Sequence, residues 1–401
     1  MRILLTTLFL LSFLVGHGQE KRSTTRQRFE QAQVAYDAGH YAEALALFNQ
    51  VLKEMPDQAD AYLLRAATRE QLGDLQGANT DYAIFLEMKP DQPDALYSLA
   101  TIRFRLGLYA QAKDDFTKLL SLHPGETNKI YFNQAATTTG KNQIMTLQGP
   151  MKPQLFNYLG MVETKLKNYP TAIHWLDSAI RLESKDPDFY VNRGIAKEGA
   201  KDSTALGDYK KALTINPQHT VALHNVAILK KTQGQPTESR DQLEAAIESD
   251  SSMLYPYLER ATQRMEGGYF KGALEDYNKA LTITDKDPRI WMNRGLVKEK
   301  LNDLKGAFSD YTQAIELDNK YDKAWLNRAN VLNKQGRYKD AIDDYTVVLL
   351  YNPDSAGAYY NRAIAKQKLK LTPEACEDLK KAESLGQAVP EKMKKEFCKE
   401  L

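Results

Sequence analysis

One residue pattern recurs every 34 positions along most of this chain, and it constrains the fold more than any bulk property of the 401 residues. Arg260, Arg294, Arg328 and Arg362 fall in register. So do Ala273, Ala307, Ala341 and Ala375, and beside them Asp276, Asp310, Asp344 and Asp378. Trp291, Trp325 and Tyr359 form a further column, and Tyr277, Tyr311 and Tyr345 another. The N-terminal half keeps the same step in Ala44, Ala78 and Ala112 and in Pro56, Pro90 and Pro124. A period of this length means a stack of supersecondary units, each burying its apolar face against its neighbours. The usual estimate of domain number from chain length then does not apply.

The columns have a physical reading. Within each unit a large residue is followed four positions on by a small one, as in Tyr62/Ala66, Tyr190/Gly194, Trp291/Gly295, Trp325/Ala329 and Tyr359/Ala363. Residues four apart share a helical face, and the small one lets a second helix come close. A turn follows at Gly39, Gly73, Gly107, Gly234, Gly268 or Gly336, where glycine can close a helix in the left-handed conformation. The second helix buries Ala, an aromatic and Ala or Leu, as in Ala307, Tyr311 and Ala314. Pro56, Pro90, Pro124, Pro217 and Pro353 end it. Period-two alternation is absent from these units, so no sheet competes.

Segments such as Trp325-Leu326-Asn327-Arg328-Ala329, Gly336-Arg337-Tyr338, Ala341-Ile342-Asp343-Asp344-Tyr345 and Asn352-Pro353 closely resemble the tetratricopeptide (TPR) repeat. The resemblance spans ten units: 25–58, 59–92, 93–126, 153–186, 187–219, 220–253, 254–287, 288–321, 322–355 and 356–389. Unit five is one residue short near Lys201, and unit six carries Ser239 and Leu243 where others have Ala and an aromatic. The fold it implies is all-α, a right-handed superhelical solenoid of helix–turn–helix units. With a leader, a lead-in at 19–24, an insertion at 127–152 and a tail at 390–401, the units account for the whole sequence. No stretch is left over for a catalytic domain.

Arg2 and the thirteen-residue apolar run Ile3–Val15, followed by Gly16-His17-Gly18, have the layout of a secretory leader over 1–18. At the helical rise the run covers about 20 Å, short of a roughly 30 Å bilayer core, so cleavage and export are expected rather than anchoring. No later stretch is apolar enough to span a membrane. The insertion is read either as an irregular loop or as a hairpin, with Tyr131 and Phe132 as candidate partner contacts. In the tail, Met393, Phe397 and Leu401 make one apolar stripe, which reads as a capping helix. Cys376 and Cys398 fall in elements that should pack together, and an exported location leaves open a disulfide or two buried thiols.

No catalytic residue, metal ligand or cofactor is assigned. The six His form no short metal motif, and no glycine-rich phosphate loop or nucleophile elbow occurs. Paired carboxylates such as Asp114-Asp115 and Asp343-Asp344 recur at one repeat position and read as a solvated face or caps. The Arg column reads as exposed pairs with the Asp column, worth about 0–1 kcal/mol each. With 54 Lys+Arg against 52 Asp+Glu, no general field for nucleic acid exists.

The family resemblance implies a partner groove lined by first helices. In this chain it places Tyr97, Phe104, Met161, His224, Tyr255, Met265, Met292, Asn330, Lys334 and Tyr360 there. Early groove positions include Asp60, Glu70 and Asp94, and late ones Arg289, Lys300, Lys323, Lys334 and Lys368. Asn225, Asn293, Asn327 and Asn361 share one position, but Leu326 stands where a carboxylate-clamping member needs Lys, so no such clamp is expected. The reading is therefore a non-enzymatic scaffold of the cell envelope, periplasmic or secreted, holding an extended or helical protein segment. A leader joined to such an array suits a Gram-negative bacterium. A homodimer through an array end is compatible. The rival reading is a glycan-binding or enzyme-accessory protein.

Overall fold

The computed structural model describes residues 24–122, 130–131, 144–145 and 152–398. The leader, Phe132, most of the insertion and Leu401 lie outside the described residues. The described chain is helical apart from one two-residue ladder, and it divides into two compact units between Asn216 and Pro217.

In the first unit the helices pair as α1 (24–37) with α2 (Tyr41–Glu54), α3 (Ala59–Gln71) with α4 (Leu75–Met88), and α5 (Pro93–Arg105) with α6 (Tyr109–Ser121). Two more pairs follow, α7 (Lys152–Lys165) with α8 (Tyr169–Leu182) and α9 (Pro187–Gly199) with α10 (Ala205–Ile215). The second unit holds α11 (Thr220–Thr232) with α12 (Pro236–Ser249), α13 (Leu254–Glu266) with α14 (Phe270–Ile283), and α15 (Pro288–Lys300) with α16 (Leu304–Leu317). It ends with α17 (Asp322–Lys334) and α18 (Tyr338–Tyr351), α19 (Ala356–Lys368) and α20 (Thr372–Ser384), and the short α21 (Glu391–Phe397).

Short turns set the pairing. Gly73 closes α3 at φ 78°, with its N–H on the Glu70 carbonyl and the Asp74 N–H on that of Arg69. The Asp74 carboxylate then caps α4 by accepting from the Gly77 N–H at 2.9 Å. Four turns lack a glycine, and there Lys167, Lys201, Asn302 and Lys370 take the left-handed conformation, at φ 63°, 59°, 63° and 63°. Each such residue costs roughly 1 kcal/mol, which packing of the flanking helices offsets.

Within each unit the helices pack in chain order. Across the insertion the stack continues: Phe116 of α6 lies flat on Tyr158 of α7 at 4.9 Å between ring centres. Lys113 also reaches the buried Glu163 carboxylate at 2.7 Å. The described part of the insertion is a hairpin ladder, β1 (Ile130–Tyr131) antiparallel to β2 (Ile144–Met145).

The small-residue column allows close helix approach. A Cβ built on Gly295 would lie 2.6 Å from the Tyr311 ring, and one on Gly194 would lie 2.4 Å from Tyr209. Tyr209, Tyr277, Tyr311 and Tyr345 are among the largest fully buried side chains. Each such ring contributes about 2–3 kcal/mol of apolar burial. In unit six the same site is filled by Leu243 and Ser239, both buried, with Ser239 Oγ accepting from Gln263 at 2.9 Å.

Candidate functional site

The Arg column is part of the interior, which corrects the expectation of exposed pairs. Arg294 grips Asp310 through Nε and Nη2 at 2.8 and 2.7 Å, and Asp310 is only 1% exposed. The same fork joins Arg65 to Asp81, Arg193 to Asp208, Arg260 to Asp276, Arg328 to Asp344 and Arg362 to Asp378. Each guanidinium also lies over the aromatic three residues before it, 4.7 Å from Trp291 and 4.6 Å from Trp325 at the closest. Four residues after the Arg a second cation usually reaches the same carboxylate: Arg69, Lys197, Arg264, Lys298 and Lys366. In α17 that place is Leu332, so Asp344 has Arg328 alone among the described residues.

In α5 the Arg shifts by one turn. Arg103 holds Asp115 at 2.7 Å, while burial pushes the Asp115 carboxyl above its usual range against the pull of Arg103. Asp115 and Asp344 are thus neither a solvated face nor caps. The ladder ties first helices to second helices, which leaves the opposite face of the first helices as the candidate surface.

On that face the structure sorts the ten residues. Tyr97 is 4% exposed and meets Phe116 and Tyr158 edge-on at 6.2 and 5.8 Å, so it is a core ring and not a groove residue. Met292 is likewise buried, in one cluster with Tyr311 and Ala314. Both are corrections: in α5 and α15 the fifth position turns into the seam, against Phe116 and Tyr158 in one case and beside Tyr311 in the other. Phe104 is half-buried between Tyr109 and Tyr158. Met161 is half-buried beside Asn157, whose Oδ1 accepts from Asn192 at 2.8 Å. Met265, half-buried, accepts from the Tyr277 hydroxyl at 3.6 Å. Asn330 accepts from Tyr345 at 2.7 Å and from Asn361 at 3.0 Å. Tyr360 packs half-buried on the Ala363–Leu379 cluster. Lys334 is exposed and reaches Glu299 across the seam between α15 and α17 at 2.5 Å. Tyr131 falls in β1.

Tyr255 and His224 stand apart. Tyr255, second in α13, leaves 61% of its surface exposed, and its ring centre lies 6.3 Å from that of His224 on α11. His224 Nδ1 and the neighbouring Asn225 Nδ2 are out of solvent and without a hydrogen-bond partner. Burial lowers the His224 pKa, opposed by the Glu259 carboxylate, so the ring is neutral at pH 7. Glu259 itself binds Lys231 at 3.0 Å. The family resemblance places both rings in the groove, yet their adjacency depends on which residues of neighbouring first helices meet.

At the C-terminal end Cys376 and Cys398 form a disulfide, with Cα atoms 5.2 Å apart, and Phe397 of α21 is buried against Ala363, Ala375 and Leu379. Lys394 pairs with Glu383. A cleft of about 810 Å³ runs past Asp287, Arg289, Tyr321 and Lys323. There Arg289 holds the Asp287 carboxyl below its usual range, and burial raises Tyr321. Both keep their ordinary neutral-pH charge. Among the described residues no three His, Cys, Asp or Glu converge as metal ligands, and no helix is long and apolar enough to cross a membrane.

Family models of the tetratricopeptide repeat match residues 29–78 and 68–127, 288–321 and 310–343. The chain carries tetratricopeptide repeats. Among solved structures, it is similar to YrrB, described as a TPR protein with an unusual peptide-binding site, at 23% identity over 48% of this chain and 98% of that one, with a TM-score of 0.43. The C-terminal part of a TPR repeat-containing protein from Cytophaga hutchinsonii matches at 17% identity over 59% and 98%, with a TM-score of 0.49. PilF of Pseudomonas aeruginosa matches at 18% over 54% and 98%, with a TM-score of 0.46. No curated protein matches the chain. The TPR fold is consistent with a protein-interaction scaffold, and most of its helix pairs are tied by an Arg–Asp fork.

Proposed function

We propose that this TPR protein is a non-enzymatic interaction scaffold of the cell envelope, holding a segment of a partner polypeptide along its first-helix face. The observation that carries the reading is the Tyr255–His224 pair. A large ring left in solvent beside an imidazole nitrogen lacking a partner is costly in a free protein. A polypeptide laid on α11 and α13 would cover the Tyr255 ring and complete the packing around the half-buried imidazole beside it. Export is supported by the leader-like residues 1–18 and by the Cys376–Cys398 disulfide, a bond that persists in oxidising compartments.

The test is capture of partners from an extract of the source cells on the full chain, its His224→Ala/Tyr255→Ala variant and a Leu350→Ala control on α18. A partner polypeptide retained by the chain and the control and lost from the double variant supports the reading. Equal retention by all three refutes it.

A further inference from the structure

The first helices of the last three full repeats end alike. Lys300, Lys334 and Lys368 are the C-terminal residues of α15, α17 and α19, and all three are exposed. The corresponding residues in the two preceding repeats are Thr232 and Glu266, so the run is confined to this stretch. Lys300 and Lys368 have no ion pair among the described residues, and neither does Lys323 at the start of α17. In the last turns of α15, α17 and α19 the carboxylate is Glu299, which Lys334 already meets.

Helix-dipole complementarity alone does not explain the row. The last turns of α15 and α19 also hold Lys298 and Lys366, each bound to a buried Asp of the ladder. Lys300 and Lys368 flank Lys334 in register without a carboxylate of their own among the described residues, so the row keeps a net positive charge that favours an anionic occupant.

The spacing narrows the occupant. First helices of consecutive repeats touch here, α15 on α17 and α17 on α19. Touching helices lie about 8–10 Å apart. An extended polyproline-like peptide advances about 3.1 Å per residue with three residues per turn, so every third side chain falls on one face at about 9.3 Å. That repeat matches the helix spacing. Single-stranded nucleic acid is a poorer fit, because it needs exposed aromatic platforms and the rings of these three helices, Trp291, Trp325, Tyr359 and Tyr360, are half-buried.

We propose that the Lys300–Lys334–Lys368 row binds an extended acidic polypeptide segment bearing Asp or Glu at every third position. The proposal rests on the scaffold reading above and names the chemistry of its partner.

The test measures fluorescence anisotropy of labelled ten-residue peptides on the full chain. One peptide carries three Glu spaced by three in a Pro-containing extended background. A second has the same composition with the Glu residues adjacent, and a third carries Lys in place of Glu. The expected order is matched, then adjacent, with the basic peptide not binding.

Lys300→Gln/Lys334→Gln/Lys368→Gln removes only exposed side chains, and circular dichroism checks its fold. It should weaken the matched peptide roughly ten- to hundredfold, at about two- to fivefold per lysine, and flatten the dependence on salt. The proposal is overturned if the matched peptide binds no better than the other two, or equally well to the triple variant. It is also overturned if a uniform single-stranded oligonucleotide binds as tightly. Failure here while the Tyr255-dependent partner is still captured leaves the scaffold reading standing with a partner of different charge. Tight, lysine-dependent peptide binding without that capture refutes the Tyr255 site alone.

Discussion

The Arg–Asp ladder predicts that two equivalent substitutions differ in cost because of one residue elsewhere on the helix. In Arg294→Ala the buried Asp310 loses its fork but keeps Lys298, at 2.9 and 3.0 Å. The loss is then the fork's hydrogen bonds to a carboxylate that stays paired, so it should fall short of the cost of stranding a buried charge. In Arg328→Ala, Asp344 is left with no cation among the described residues, because Leu332 occupies the place that Lys298 holds in α15. An uncompensated buried carboxylate costs about 3–5 kcal/mol. Both variants also give up the contact between guanidinium and indole, to Trp291 and Trp325 at 4.7 and 4.6 Å, so that loss cancels in the comparison.

Asp344→Asn added to Arg328→Ala should recover part of the loss by removing the stranded charge, and the coupling between the two sites should be well above additivity error. Repeat arrays unfold by segments, so the measurement is amide hydrogen exchange across α15–α18, with urea melts followed by circular dichroism. If Arg294→Ala proves as damaging as Arg328→Ala, or if the double variant is no better than Arg328→Ala, the ladder is not what holds these helices.

Gly295→Ala sets a Cβ 2.6 Å from the Tyr311 ring and should destabilise by about 1–3 kcal/mol, visible as a lower urea midpoint. Reduction of Cys376–Cys398, or Cys398→Ser, opens a loop of 22 residues and should cost up to about 3 kcal/mol, read as faster exchange in α20 and α21 with α11–α14 unchanged. His224 has its pKa lowered by burial. Its native form therefore resists a proton that the unfolded chain accepts near pH 6.5, so stability is full above that pH and falls as the pH drops through it. Protection factors of the α11 amides, taken against the intrinsic exchange rate at each pH, should fall from pH 7 to pH 5 in the native chain, and His224→Gln should lessen the slope.

The helix pairs were legible because their causes are local and repeated. Tyr311, Gly295 and Ala307 specify one packing motif, and the chain writes it again at each step. The four left-handed turns at Lys167, Lys201, Asn302 and Lys370 were not legible, since no residue type there favours that conformation as glycine does. Burial of the Asp column was missed for a related reason. Charge suggests a surface, and only the packed fork of Arg294 on Asp310, with Trp291 beneath, shows the carboxylate inside. On the candidate surface, the family resemblance named Tyr255 and His224 together with Tyr97 and Met292. It could not separate rings facing solvent from side chains turned into the seam, because that choice depends on the bulk of the neighbouring helix.

The central claim is that the first-helix face carries the partner, and site-specific photo-crosslinking tests it most directly. A benzophenone side chain replaces Tyr255 on α13 in one sample of the full chain and Leu350 on α18 in another. Leu350 is 75% exposed and belongs to a second helix. Irradiation in extract of the source cells should yield a discrete polypeptide adduct from position 255 and none from position 350. Adducts from position 350 with none from 255 would contradict the account.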